Sequence, residues 1–315
     1  MSILSKELDR YLCIRRSLGY DLRTDERILR RFVTFAAGQG DNHISTDLFL
    51  KWQVSCASVR RDTWARRLGI VRIFAQWLHG IDPQHEVPPQ SLISYHQRRP
   101  RPYIYSEDEI RRIIETAAEL PSVNGIRSLT CAALFGLLAV TGLRVSEAVS
   151  LDSCDINLET GVLTVRCGKG GKERLLPLSK STMAQLVAYD SERDRLLGYR
   201  SEAFFVGDRG DRLTDCGARY NFAIVCQDIG LRSAQKNYRH GHGPRIHDLR
   251  HSFAVRTILD WYRTGKNPTH EMIKLSTWLG HVSPANTYWY IEAVPELLEL
   301  ASQRATESLA KEVAS

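Results

Sequence analysis

The chain lacks what would place it in a membrane or outside the cell. Its longest apolar run, Leu129 to Leu143, is interrupted by threonine and glycine and is too short to cross a bilayer. The opening stretch MSILSKELDRY has no apolar segment of signal-peptide length. Seven cysteines, at 13, 56, 131, 154, 167, 216 and 226, form no CxxC pair and leave one over. That argues against both a disulfide framework and a cysteine-based zinc site, and the thiols read as reduced. Internal repeats and low-complexity tracts are missing as well. The expectation is a soluble protein of the cytoplasm, in a bacterium the cytoplasm or nucleoid, with no membrane partner.

What is present suits a folded protein of about two domains. The 315 residues are 43% hydrophobic, enough for sizeable cores. A formal charge of +7 supports a polyanionic partner without establishing one. From Ser5 to Tyr95 apolar residues recur at helical spacing, as in Leu8, Tyr11, Leu12, Leu18 and then Ile28, Leu29, Phe32, Val33, Phe35. Breaks at 19–21, 38–43 and 81–89 divide this region into four or five helices, with Ser45 or Thr46 capping the one that holds Phe49, Leu50 and Trp52.

Between Arg60 and Trp77, arginines 60, 61, 66, 67 and 72 alternate with Trp64, Leu68, Ile70, Val71, Phe74 and Trp77. A helix there turns an apolar side to the core and arginines outward, where they can meet phosphates. A solvated charged face is the plain alternative. Asp62 is the only acid in the run, which weakens that alternative. The proline- and arginine-rich stretch ending in HQRRPRPY cannot continue a helix and reads as an extended linker, with Arg98, Arg99 and Arg101 able to lie along a DNA backbone.

Beyond it, Ser106 and Glu109 form a capping-box signature for a helix through Ile110, Ile113 and Ile114. A second helix runs through Leu129 to Val140, and LRVSEAVSL is expected to continue helically. VLTVR and ERLLPLS, parted by GKGGK, read as two antiparallel strands. Later helices are expected at 247–262, 271–278 and 295–311.

Through this second region runs an ordered set of chemically capable residues: Arg144 in TGLRVSEAVSL, Lys169 and Lys172 in GKGGKERLLPL, His247 and Arg250 in HDLRHSFAV, His281 in LGH, and Tyr288 and Tyr290 in NTYWY. Two guanidiniums can hold an oxyanion, imidazoles and an ammonium can manage protons, and a phenol can be a nucleophile. Each alone has an ordinary explanation: Arg144 paired with Glu147, Arg250 with Asp248 or Asp260, a lysine exposed in a turn, a tyrosine in a core. His247 and His251 stand four apart, a spacing used by zinc ligands, but no glutamate occupies the HExxH position, so no metal is expected. His240 and His242 read as part of a basic loop.

Taken together and in order, these motifs resemble the tyrosine recombinases of the phage-integrase family, in particular Xer-type and transposon-borne members. The resemblance spans the whole chain and implies a mainly α fold: a two-domain DNA clamp with a helical SAM-like core-binding domain over 1–95, a linker over 96–104, and over 105–315 a mixed α/β catalytic domain, mostly helical with a small antiparallel sheet. It implies Arg144, Lys169, His247, Arg250, His281 and Tyr290 as catalytic residues. Arg144 and Arg250 hold the scissile phosphate, Lys169 in its GKG turn protonates the leaving 5′ oxygen, His247 handles protons near the nucleophile and His281 donates to the phosphate. Spacing within the family selects Tyr290 over Tyr288 as nucleophile.

The same resemblance implies site-specific cleavage and rejoining of double-stranded DNA through a 3′-phosphotyrosyl intermediate, for a transposon or other mobile element. No cofactor or ATP is implied. Four copies would act on two DNA sites, alone or with a related recombinase, the helix after Pro295 meeting a neighbouring subunit. Arg60, Arg61, Arg66, Arg67, Arg98, Arg99, Arg101, Lys172 and Arg245 are expected to touch DNA. A type IB topoisomerase-like relaxase and a non-catalytic DNA-binding accessory protein remain open alternatives. Two departures stand out: a long segment between HxxR and LGH, and a proline in HVSPANTYWY.

Overall fold

The computed structural model describes residues 2–56, 59–94, 101–166, 173–233, 243–281, 283 and 285–313, in two compact units, Met1–Arg99 and Pro100–Ser315. Arg98, Arg99, Lys169, Lys172, His240 and His242 lie outside the described residues.

The first unit has helices α1 (Ile3–Ser17), α2 (Arg23–Gln39), α3 (Thr46–Ser55) and α4 (Arg61–His79), followed by a single 3-10 turn, Gln90–Leu92. Ser45, not Thr46, caps α3: its Oγ accepts the Leu48 N–H at 3.0 Å. Helix α4 buries Trp64, Leu68, Val71, Phe74 and Leu78, the i, i+4, i+7 stripe that faces a core. Trp64 meets Trp52 edge-on at 5.1 Å, and Phe32 and Phe49 complete the aromatic centre. Of the arginines on α4, Arg61 and Arg66 are exposed, as is Arg60 at the N-cap. Arg67 instead lies over the faces of Trp64 and Trp52, 4.6 and 5.5 Å from their centroids.

The second unit opens with α5 (Glu107–Ala118), whose capping box is complete: Ser106 Oγ accepts the Glu109 N–H and Glu109 accepts the Ser106 N–H. Helix α6 (Ile126–Thr141) packs on α5 through the central core of Leu134, Phe135 and Leu138. It stops at Gly142, where φ is +63°, and Arg144 is extended before the short α7 (Val145–Val149). LRVSEAVSL is therefore not a continuation of one helix, because a left-handed glycine ends α6. The break turns the chain so that Arg144 becomes the N-cap of a new helix.

Strands β1 (Ile156–Asn157), β2 (Val162–Val165) and β3 (Arg174–Pro177) form an antiparallel sheet in the order β1-β2-β3, with Leu163 opposite Leu176. The hairpin is as expected; β1 is an addition. Helices α8 (Lys180–Leu197) and α9 (Asp215–Asp228) follow, neither foreseen from the sequence. Helix α10 (Ile246–Arg263) crosses α6, and α11 (Pro268–Leu279), α12 (Ala285–Ala293) and α13 (Pro295–Val313) gather on it around Val255, Ile258, Leu275 and Leu297. The base of α13 packs within its own unit, where Leu297 is fully buried. Tyr105 ties the start of α5 to α10, its N–H donating to Ser252 Oγ at 2.8 Å and its hydroxyl to the Arg245 carbonyl at 3.1 Å.

Candidate active site

Three arginines from distant positions converge on the end of α11. Helix termini leave carbonyls without intrahelical partners and carry partial negative charge, which suits a guanidinium. Arg174 Nε donates to the Trp278 carbonyl at 2.8 Å, Arg250 Nη2 to that of Leu279 at 2.6 Å and Arg144 Nη2 to that of Gly280 at 3.0 Å. Arg250 also donates to the Gly142 carbonyl at 2.8 Å, so it bridges the ends of α6 and α11. Its pairing is thus with backbone oxygens and not with Asp248 or Asp260.

Both glycines are needed for this close approach. At Gly142 (φ +63°) a Cβ would lie 2.5 Å from Phe253 Cδ1, and at Gly280 (φ +63°) it would lie 2.9 Å from Arg174 Nη1.

Glu147 is the one carboxylate set among these guanidiniums. Arg144 Nη1 donates to its Oε1 at 2.6 Å, and Arg174 donates to both oxygens at 3.2 and 2.7 Å. Burial pushes the Glu147 carboxyl up, but the Arg174 hydrogen bond, the Arg144 backbone N–H and the two arginine charges outweigh it, and the net result is below the ordinary value. Arg174 belongs to this frame as fully as Arg144, and sequence reasoning missed it. Three positive charges against one negative leave an excess suited to an anion. Arg250 is 2% exposed, and its burial, with the adjoining Arg144 charge, pulls its guanidinium down to about 10. A charge held under that penalty gains from any bound anion.

The phenol and the imidazoles stand beside this frame. Tyr290 on α12 is 2% exposed, and the charge of its phenolate would bear on Arg250; Tyr288 is 42% exposed. The Tyr290 hydroxyl is 3.0 Å from His251 Nδ1 on α10. His247, one turn earlier, packs edge-on against His251 with centroids 4.8 Å apart. The His281 ring lies nearly parallel to Tyr290 at 6.5 Å, and its Nδ1 is 2.7 Å from Oγ1 of the fully buried Thr287. Burial first, then the Arg250 charge, lowers His247 to about 4; burial first, then His247 and the nearby cations, lowers His251 to about 3. Both rings are neutral at physiological pH.

Arg144, His247, Arg250, His281 and Tyr290 are thus brought together, with the exposed Arg245 at the N-cap of α10 close enough for its charge to bear on His247 and His251, while Arg101 is exposed. Arg245 pairs with the buried Asp248 at 3.2 Å. His251 entered the sequence reading only as half of a metal spacing, yet its Nδ1 is engaged with the phenol. Among the described residues one group, His43, Asp82 and His85 of the first unit, brings metal-ligating atoms within 4.8 Å of one another. There His85 Nδ1 accepts the Ile44 N–H at 3.0 Å, which leaves the ring proton on Nε2 and makes the ring a structural clip.

Residues 104–296 match the phage integrase family model. The chain is 38% identical over 309 residues to the integrase/recombinase y4rB of Sinorhizobium fredii, covering 96% of this chain and 97% of that protein. It is 31% identical over 233 residues to the tyrosine recombinase XerC of Roseiflexus castenholzii, covering 72% of this chain and 67% of that one. In fold it is similar to the Tn1549 transposon integrase in complex with transposon right-end DNA (TM-score 0.65, 15% identity, 98% of this chain and 100% of that). The same holds for the lambda integrase tetramer bound to a Holliday junction (TM-score 0.58, 19% identity, 89% and 78%). The chain belongs to the phage integrase family, the class of tyrosine-type site-specific DNA recombinases. The relaxase and accessory-protein alternatives are not favoured.

Proposed function

We propose that this recombinase cleaves and rejoins DNA for a mobile element, with Tyr290 as nucleophile. The phenol oxygen attacks the scissile phosphorus, a 3′-phosphotyrosyl bond forms and a 5′-hydroxyl leaves. A second 5′-hydroxyl later reverses the step and seals a recombinant strand. The phosphotyrosine retains the energy of the broken ester, so by this chemistry the step needs no ATP. Arg144 and Arg250 hold the non-bridging oxygens, His281 donates to the same phosphate, His247 acts in proton handling, and Lys169 protonates the leaving oxygen.

The observation that carries this reading is the setting of Tyr290: a buried hydroxyl paired with a neutral imidazole, next to three guanidiniums only partly offset by one carboxylate. A phosphodiester brings one negative charge, and the phosphorane formed on attack brings more, so the excess is better matched in the transition state than before it. Exposed Arg60, Arg61, Arg66, Arg101 and Arg245 are offered as backbone contacts, with Arg98, Arg99 and Lys172. Arg67 fits that role less well, since its guanidinium already covers two tryptophans. Four copies on two sites form the working assembly, with α13 reaching a neighbouring subunit.

The test is covalent trapping on nicked suicide duplexes that carry candidate element ends. Wild type and Tyr288→Phe are expected to give a denaturation-resistant adduct, and Tyr290→Phe none. Loss only in Tyr288→Phe would move the nucleophile to that residue. Binding without an adduct in any protein would point to a required partner or a non-catalytic binder.

A further inference from the structure

The imidazole hydrogen-bonded to the Tyr290 hydroxyl is that of His251, through Nδ1, and not that of His247 of the HxxR motif. The two histidines lie four apart on α10, so they share one face, and the later one reaches α12. His247 meets His251 with its ring edge instead, on the side of Arg250 and Arg144. Trp289 also meets the His251 ring edge-on, with centroids 5.7 Å apart. The imidazole thus packs against two neighbouring rings, with Nδ1 3.0 Å from the phenol oxygen. Its other nitrogen, Nε2, lies 4.0 Å from the buried Asp248 carboxylate, which favours the ring proton there and leaves the lone pair on Nδ1.

We propose that His251 is a further catalytic residue, whose Nδ1 accepts the phenol proton of Tyr290 as the oxygen attacks phosphorus. This rests on the phosphotyrosyl chemistry proposed above. The Oη–P bond forms while P–O5′ breaks; the phenol proton passes to His251 Nδ1, and the 5′ oxygen takes a proton from Lys169. In resealing, both protons return. His247 then becomes a positioning residue, packed against the base and the phosphate-binding arginines.

The groups that face His251 are Arg245, His247, Asp248 and Arg250 from α10 and its N-cap, His281 after α11, and Tyr290 on α12. Most are cationic or become so, and together with burial they hold the free ring neutral. A phosphate seated on Arg144 and Arg250 adds the missing negative charge. Protonation of His251 thereby becomes easier when DNA is bound, which couples activation of the nucleophile to occupancy of the site.

The experiment is single-turnover cleavage of the same suicide duplexes. His251→Gln is expected to bind DNA as wild type does but to form adduct about 100-fold more slowly, in the range typical of one general base. His251→Asn, smaller and amide-bearing, is expected to behave alike, which separates lost chemistry from misfolding. The deficit should shrink from pH 7 to pH 9 and when Tyr290 is replaced by fluorotyrosine, whose phenol is more acidic. A 5′-bridging phosphorothiolate, whose leaving sulfur needs no proton, should rescue Lys169→Ala but not His251→Gln. Cleavage by both His251 variants within about threefold of wild type would overturn the proposal, and so would rescue of His251→Gln by the phosphorothiolate. A wild type that forms no Tyr290 adduct would remove the reading on which it rests and this one with it.

Discussion

Arg174 directs all of its charge at protein groups: both oxygens of Glu147 and the carbonyl of Trp278. It therefore sets the position of Glu147, which in turn orients the Arg144 guanidinium. Arg174→Met should leave Glu147 buried with Arg144 as its one remaining partner. The loss is expected at the low end of the roughly 3–5 kcal/mol seen when one member of a buried ion pair is removed. Calorimetry of the full chain would read this as a lower transition for the second unit. Arg174→Lys should recover little, since a single ammonium cannot span two carboxylate oxygens and a carbonyl. A transition within a degree of wild type for the methionine variant would refute the role. Arg174 and His251 were not legible in the sequence because their meaning depends on partners 27 and 39 positions away. Tyr290 and Arg250 stood out through the resemblance of their motifs to the family, and the structure brings the two close enough for their charges to interact.

Among the elements, those announced by local physics were readable. The capping box at Ser106 and Glu109 depends on residues three apart, and Ser106→Ala should lower stability by about 1 kcal/mol without changing DNA binding. A thermal midpoint unchanged by that substitution would contradict it. The α4 stripe and the β2–β3 hairpin were readable for the same reason, being repeats of short period. Helix α8 was not, since its buried side consists of Leu186, Tyr189 and the charged Arg193, whose guanidinium pairs with Asp190 and Asp194. Such a face looks solvated in sequence. Strand β1 is two residues long, below any periodicity, and α12 has too few turns for a stripe to repeat. The end of α6 at Gly142 was misread because its apolar residues run on past the glycine; backbone conformation, not hydrophobicity, ends the helix.

At the scale of the whole molecule, three histidines, His85 buried and His247 and His251 half-buried, link folding to pH. His85, His247 and His251 all have folded values below the ordinary histidine value of 6.5, with burial as the main cause in each. Their contribution is complete above pH 6.5 and is lost as the pH falls, because the unfolded chain takes up protons that the folded chain refuses. For His247 the loss continues to about pH 4 and for His251 to about pH 3. Glu147, also depressed, adds its loss below its ordinary 4.5. Thermal midpoints are thus expected to be level above pH 7 and to fall steeply between pH 6.5 and 4. A His247→Asn, His251→Gln double variant should flatten that fall, and an unaltered slope would count against the linkage. The order of the active-site residues along the chain has a consequence for synthesis. The guanidiniums enter at 144, 174 and 250, their carbonyl acceptors at 278–280 and the phenol at 290. A nascent chain therefore carries the three charges with only Glu147 and the Gly142 carbonyl to meet them, before the carbonyls at the end of α11 that complete the set are made. On the proposed assignment it acquires its nucleophile, Tyr290, last of the set, so a product that stops short of α12 would lack the residue that cuts.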